Sequence, residues 1–147
     1  YKMTDEQFDA VINVNLRGNF LMTKAVVPYM MEQKYGKIVH CASVSAYNGN
    51  FGQSNYAASK AAIMGMTRVQ AKELGKYGIN VNAIAPGSIM TDMYAAVPEE
   101  VKQAKLAKIP LRRYGDPRET AQLYAFLASD EASYVTAQTI TIDGGFN

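Results

Sequence analysis

Hydrophobic residues recur at helical spacing from residue 4 to about residue 33, which predicts a long amphipathic helix at the start of the chain. Thr4, followed three residues later by Gln7, has the form of a capping box, so we expect the helix to begin there. Asn15 and Pro28 are unfavourable inside a helix and are expected to weaken or bend it.

Three segments, 37–43, 79–85 and 139–143, have the pattern of strands. Gly36 precedes the first of them and is expected to end the helix before it. The middle of this first strand is almost entirely apolar, as in a parallel strand that is buried on both faces. The last segment alternates polar and apolar residues, which predicts a half-exposed edge strand.

Two further helices are predicted between the strands. One spans about 55–77, and Gly78 is placed to cap its carboxyl end. The other begins at Asp116 as N-cap, with Pro117 in the first helical position and Glu119 two residues after it. Strands and helices therefore alternate along the chain.

This alternation predicts an α/β fold, with a parallel sheet and helices on its faces. We expect residues 1–147 to form a single unit, with a loop at 45–54 and a polar, mobile, partly helical segment at 91–108. Three strands make a small sheet, and the first helix has no preceding strand to pair with. The sequence therefore predicts an incomplete unit.

Composition narrows the class of protein. Of the 147 residues, 48% are hydrophobic and 19% charged, which is enough to bury a core. The net charge of +2 is scattered, so no nucleic-acid or membrane surface is expected. No segment is long and apolar enough to span a bilayer, and the first residues do not resemble a signal peptide. A cytoplasmic location is therefore expected.

The single cysteine and the single histidine limit the chemistry further. They cannot supply a disulfide framework or the usual ligands of a structural zinc site, so no metal is expected. Cys41 is interpreted as a small buried hydrophobic residue.

Tyr56 and Lys60 are the first candidates for catalysis. Their four-residue spacing on a predicted helix places both side chains on one face. An ammonium group beside a phenol favours the phenolate and so lowers a pKa that is ordinarily near 10. Such a phenol could act as a general acid or base. A pair at this spacing also occurs by chance in a chain with 10 tyrosines, so the pair alone is weak.

Ser43 and the Pro86-Gly87 pair follow the first two predicted strands. The carboxyl ends of parallel strands form the edge where ligands bind in open α/β sheets. A serine hydroxyl there could donate to a substrate carbonyl oxygen. Thr91 and the backbone near Ile89 are expected on the same edge. The alternatives are a serine bonded to local backbone and an ordinary turn.

Taken together, these features resemble the short-chain dehydrogenase/reductase family over essentially the whole chain. The shared motifs are Asn13-Val14-Asn15-Leu16, the strand 38–43, the thirteen-residue step from Ser43 to Tyr56, Tyr56-Ala57-Ala58-Ser59-Lys60, Asn80-Val81-Asn82, Pro86-Gly87 and Asp143-Gly144-Gly145. The resemblance implies the C-terminal portion of a Rossmann-like doubly wound parallel sheet with helices on both faces. It also implies a ketone–alcohol oxidoreductase that uses NAD or NADP.

The resemblance implies a role for each candidate residue, and these roles are expectations. Tyr56 would exchange a proton with the substrate oxygen, and Lys60 would assist it and bind the nicotinamide ribose. Ser43 would hydrogen-bond the substrate carbonyl. Asn15 would hold a water in a proton relay with Lys60. The residues expected to contact the nicotinamide end, besides Tyr56 and Lys60, are Pro86, Gly87, Ile89 and Thr91.

Within the family, the sequence is most similar to the 3-oxoacyl-(acyl carrier protein) reductase branch, which implies an acyl-thioester or other small carbonyl substrate and a homotetramer. The similarity rests on Gly52-Gln53-Ser54-Asn55-Tyr56 and on residues 126–132. A sugar- or steroid-type dehydrogenase of the same family is an alternative. The choice between NAD and NADP stays open, with NADP slightly favoured.

The sequence departs from the family in one respect. None of its 11 glycines forms the G-x-x-x-G-x-G or G-x-G-x-x-G turn that binds the cofactor pyrophosphate. We therefore expect the N-terminal nucleotide-binding half to be absent from this sequence and the 147 residues alone to be an inactive fragment.

Other classes of function fit the sequence less well. An epimerase or dehydratase that uses the same Tyr56–Lys60 pair, and a non-catalytic relative, are less favoured. A serine hydrolase would need His40 as the base for Ser43, yet an odd offset along a strand points the two side chains to opposite faces.

Overall fold

The computed structural model describes residues 2–147, except for the side chain of Met93; Tyr1, the first residue of the predicted unit, lies outside the described residues. The helices and strands are α1 (Asp5–Ile12), a π-helical stretch (Asn13–Arg17), α2 (Gly18–Gln33), β1 (Gly36–Cys41), α3 (Ser45–Asn48), α4 (Ser54–Leu74), β2 (Ile79–Pro86), α5 (Asp92–Ala95), α6 (Glu99–Leu106), α7 (Pro117–Ala128) and β3 (Thr139–Ile142). Short 3₁₀ turns follow α4 at Gly75–Tyr77 and α7 at Asp130–Ala132.

The predicted first helix is present and begins with the predicted capping box between Thr4 and Gln7. Its weakened middle is the π-helical stretch around Asn15, where backbone bonds shift from i+4 to i+5. The helix ends at Gln33, as predicted, and Lys34, which adopts a left-handed conformation with φ of 54°, caps α2. Gly36 does not end the helix but is the first residue of β1.

The sheet has the order β1-β2-β3, and both pairs of strands are parallel, as predicted. Gly36 pairs with Ile79 at the start of β1, and Ala83 pairs with Thr139 at the start of β3. Helix α4 connects the first two strands and α7 precedes the third, so the carboxyl ends of all three strands lie at one edge. Within residues 2–147, β1 pairs with β2 alone.

Helices cover both faces of the sheet, which confirms the predicted α/β class. On one face, Ala83 and Ala85 of β2 pack against Ile63 of α4. On the other face, Ile84 packs against Leu127 of α7. The small alanines let α4 approach the sheet closely, while the larger Ile84 and Leu127 fill the space beneath α7. Ile63, Ile84 and Leu127 are completely buried.

Three local features differ from the sequence predictions. The first strand ends at Cys41, two residues earlier than expected. The short helix α3 occupies part of the predicted loop 45–54. The Cys41 side chain is exposed, since β1 is an edge strand within the part of the chain that the structure describes. No helix among the described residues is long and apolar enough to cross a membrane.

Candidate active site

Tyr56 and Lys60 lie in the first turns of α4, on one face of the helix, as their spacing predicted. The Lys60 Nζ lies 5.5 Å from the centroid of the Tyr56 ring. The same Nζ donates a 2.8 Å hydrogen bond to the backbone carbonyl oxygen of Cys41. Lys60 is buried and Tyr56 is partly exposed. The end of β1 therefore holds the ammonium against the phenol, while the phenol keeps access to a ligand.

Ser43 lies just beyond β1 and is buried at the same edge of the sheet. Its Oγ accepts a 3.2 Å hydrogen bond from the backbone N–H of Ser45, at the start of α3. The next residue, Val44, donates its N–H to the carbonyl oxygen of Pro86 at 3.2 Å. This bond ties the segment that carries Ser43 to the end of β2.

The predicted cofactor-binding stretch continues from that point. Gly87 donates its N–H to Ile142 at 2.9 Å, and a Cβ on Gly87 would lie 2.5 Å from the Cβ of Asp143. Only glycine leaves room for this approach of the chain to the end of β3. Ile89 forms an isolated bridge with Gly115. Pro86, Gly87 and Ile89 therefore stand on the carboxyl edge with Ser43.

Thr91 is the last residue of this stretch and is the N-cap of α5. Its side chain accepts a 3.2 Å hydrogen bond from the backbone N–H of Tyr94. Thr91 is exposed, so it lies at the outer end of the edge formed by the three strands.

Asn15 lies close to α4, but its amide binds a residue that the sequence analysis did not single out. Asn15 Nδ2 donates to Ser59 Oγ at 3.1 Å, and that hydroxyl donates to the carbonyl oxygen of Tyr56 at 2.7 Å. Ser59 is completely buried. A serine inside a helix often bonds to the carbonyl of an earlier turn, and this tendency was the available sequence signal.

His40 is buried behind this group and does not contact Ser43. Its Nε2 lies 2.8 Å from Gln70 Oε1, and its Nδ1 lies 3.2 Å from Asn19 Oδ1. Burial lowers the pKa of His40 below its ordinary value, while the hydrogen bond to Gln70 Oε1 acts in the opposite direction. His40 points into the α2–α4 face of β1, so the serine hydrolase alternative lacks its base.

The described part of the chain has no group of side chains arranged to bind a metal ion. No cluster of three or more His, Cys, Asp or Glu side chains there could hold an ion. The groups available at the carboxyl edge are a phenol, an ammonium, hydroxyls and backbone N–H groups. Such groups move protons and orient an oxygen atom.

Comparisons with known proteins agree on one family. A family model described as enoyl-(acyl carrier protein) reductase matches residues 1–147. The chain is 56% identical over 144 residues to a 3-oxoacyl-[acyl-carrier-protein] reductase of Thermotoga maritima, covering 98% of this chain and 58% of the relative. It is 46% identical over 144 residues to the enzyme of that name from Rickettsia felis, covering 98% of this chain and 60% of the relative.

A solved structure gives the same result. The crystal structure of the 3-oxoacyl-[acyl-carrier protein] reductase from Brucella melitensis matches with a TM-score of 0.97 and 40% sequence identity. The match covers 99% of this chain and 55% of that one. The chain thus spans somewhat more than half the length of these relatives.

Proposed function

Because the chain belongs to the short-chain dehydrogenase/reductase family, we propose that the protein containing it interconverts a ketone and a secondary alcohol with NAD or NADP. The relatives named above are 3-oxoacyl-(acyl carrier protein) reductases, which supports a 3-oxoacyl thioester on acyl carrier protein as the substrate. NADP is the cofactor to test first, with NAD as the alternative.

The observation that carries this proposal is the Tyr56–Lys60 pair. The Lys60 ammonium, 5.5 Å from the centroid of the Tyr56 ring, places a fixed positive charge beside the group that exchanges a proton with the substrate. Tyr56 therefore delivers a proton to the substrate oxygen in the reductive direction. In the oxidative direction, the phenolate takes the proton from the alcohol.

Ser43 orients the substrate oxygen in this proposal. Its Oγ accepts from the N–H of Ser45, so its own proton is available for a second partner. A ketone oxygen is an acceptor, and negative charge grows on it during reduction. The Ser43 hydroxyl therefore donates to that oxygen and stabilises the developing charge.

The residues of this edge suit the nicotinamide end of a cofactor. The cofactor, when bound, supplies or accepts the hydride. Lys60 uses one N–H on the Cys41 carbonyl, which leaves two donors for the ribose hydroxyls. Pro86, Gly87, Ile89 and Thr91 continue the edge beyond β2 and would contact the nicotinamide end. The water-mediated relay from Asn15 to Lys60 remains a proposal.

We also propose that the whole protein is a cytoplasmic homotetramer. Large apolar side chains of the first helix are exposed in the isolated chain, among them Val14 at 73% and Met22 at 67%. Burial of such side chains between subunits would stabilise an assembly. The 147 residues alone are expected to be inactive, since their sequence has no glycine-rich turn for the pyrophosphate.

The test is Tyr56→Phe in the full-length protein, assayed by NADPH and NADH oxidation with an acetoacetyl thioester. Loss of the phenolic proton should lower kcat by about 100-fold or more, which is the usual size of a general-acid contribution. Tyr134→Phe is the matched control, because Tyr134 is fully exposed on another part of the surface. Unchanged turnover in Tyr56→Phe would contradict the assignment of Tyr56 as the group that exchanges a proton with the substrate.

A further inference from the structure

A chain of hydrogen bonds between side chains, bridged at one point by the backbone carbonyl of Asn15, connects β1 to the backbone of Tyr56. The polar chain consists of Gln70, His40, Asn19, Asn15 and Ser59. The bond that links its two halves runs from Asn19 Nδ2 to the carbonyl oxygen of Asn15 and is 2.6 Å long. The polar chain joins β1, α2, the π-helical stretch and α4, so it fixes elements that are distant in sequence.

The direction of the hydrogen bonds can be followed back from Tyr56. Ser59 donates its hydroxyl proton to the Tyr56 carbonyl, so Ser59 Oγ accepts from the Asn15 amide. Asn19 uses its NH₂ group on the Asn15 carbonyl, so the other end of its amide, Oδ1, faces His40. An oxygen facing Nδ1 at 3.2 Å requires that Nδ1 carry a proton.

The protonation of the other ring nitrogen of His40, Nε2, follows from the burial of the ring. Burial disfavours the imidazolium, so a histidine that is protonated at Nδ1 has an unprotonated, accepting Nε2. The partner of Nε2 must then donate. Gln70 Oε1 lies 2.8 Å from Nε2, but the two ends of a glutamine amide are interchangeable by a 180° rotation, so we assign its NH₂ group to the position that faces His40. Every member of the polar chain then has a donor or acceptor suited to its neighbour.

We propose that His40 is a positioning residue of the active site: its Nδ1–H tautomer orients Asn19, which in turn holds the π-helical stretch so that Asn15 and Ser59 fix the turn of α4 that carries Tyr56. The link between His40 and catalysis rests on the proposed function of Tyr56. The tautomer of His40 does not, because it follows from the orientation of Asn19 and from the burial of the imidazole.

Two substitutions separate this role from simple filling of a buried space. His40→Asn retains a donor near the position of Nδ1 and loses the contact with Gln70. His40→Gln retains a polar group near the position of Nε2 and loses the donor toward Asn19. Both variants are neutral, polar and smaller than histidine, so they serve as matched controls for each other.

In the full-length protein, His40→Gln should lower kcat by about 10-fold with the KM for NADPH unchanged, because small displacements of a catalytic group reduce the chemical step. His40→Asn should keep kcat within about 3-fold of the parent. Equal losses in the two variants, or no loss in His40→Gln, would overturn the positioning role. A parent protein without any reductase activity would instead overturn the proposed function.

Nitrogen NMR of histidine-labelled protein tests the tautomer independently of turnover. The His40 signals are identified by their absence in His40→Gln. A protonated Nδ1 and an unprotonated Nε2 are expected at neutral pH. A proton on Nε2 alone, or on both nitrogens, would overturn the inference whatever the activity of the protein.

Discussion

Two regions border the carboxyl edge of the sheet. One is held by contacts between distant segments of the chain, and the other by contacts between near neighbours. The α4 region, which comprises α4 and the polar chain, is bound by contacts between distant segments, such as the bond from Asn15 to Ser59 across 44 positions. The segment 91–108 consists of two short helices. Its hydrogen bonds are short-range, such as those from Gln103 to Glu99 and from Lys102 to the Ala95 carbonyl, and the bond from Tyr114 to the Lys102 carbonyl spans 12 positions.

Burial follows the same division. Ser59 and Lys60 in the α4 region are buried, whereas most side chains between residues 91 and 108 are exposed. A segment with few buried contacts opens at a lower free-energy cost than a packed helix. We therefore expect the segment 91–108 to open more readily than the helix that carries Tyr56 and Lys60. The comparison predicts that substitutions in the α4 region act on the whole fold and that those in the segment act locally.

The largest effect is expected for Ser59→Ala. The substitution leaves the partly buried amide of Asn15 without its acceptor and removes the bond from the buried Ser59 hydroxyl to the Tyr56 carbonyl. It should lower the free energy of unfolding by about 1–3 kcal/mol, the usual cost when a hydrogen-bonding group loses its partner inside a protein. Urea unfolding of the full-length protein measures it. Ser133→Ala, at an exposed position, is the control and should change stability by less than about 0.5 kcal/mol. Equal stability of the two variants would contradict the comparison.

An intermediate and local effect is expected for Thr91→Ala. Loss of this N-cap should destabilise α5 by about 1 kcal/mol. Amide hydrogen exchange in residues 92–95 should then accelerate by about 5-fold, with α4 unaffected. Thr91→Ser keeps the capping hydroxyl and should exchange like the parent. Faster exchange in α4 as well would mean that the segment is coupled to the fixed region.

The same division explains which features could be predicted from the sequence. Two helix starts, the capping box at Thr4 and the N-cap at Asp116, depend on residues within three positions and were identified correctly. The parallel sheet followed from the alternation of helices and strands. The grouping of Ser43, Tyr56 and Pro86 followed from the rule that strand ends share an edge.

The features that were missed depend on partners far along the chain. Ser59 gives no local sign that it accepts from Asn15, and His40 gives none that it lies between Asn19 and Gln70. The exposure of Cys41 depends on β1 being an edge strand, and no residue within β1 encodes that position. Lys34 caps α2 in a conformation that favours glycine, so propensity pointed to Gly36 instead.

The smallest effect is expected for the exposed Arg113–Glu119 pair, which links the loop before α7 to the first turn of that helix. Arg113 donates two hydrogen bonds to the Glu119 carboxylate, at 2.6 and 2.7 Å. These bonds, followed by the backbone N–H of Asp116, lower the pKa of Glu119 from 4.5 to about 2. A folded-state pKa below the unfolded value means that the pair stabilises the protein above about pH 4.5 and loses this contribution as the pH falls toward 2.

Glu119→Gln should therefore lower the melting temperature slightly at pH 7, by less than either substitution above, because exposed pairs are screened by solvent. The difference from the parent should shrink as the pH falls from about 4.5 toward 2, since the parent then loses the same interaction. Thermal scans from pH 7 to pH 2 measure it, with Glu131→Gln as an exposed control. A difference in melting temperature that grows on acidification would mean that the Glu119 carboxylate opposes folding. A large difference at pH 7 would mean that this exposed pair stabilises the fold as strongly as the contacts of the α4 region do.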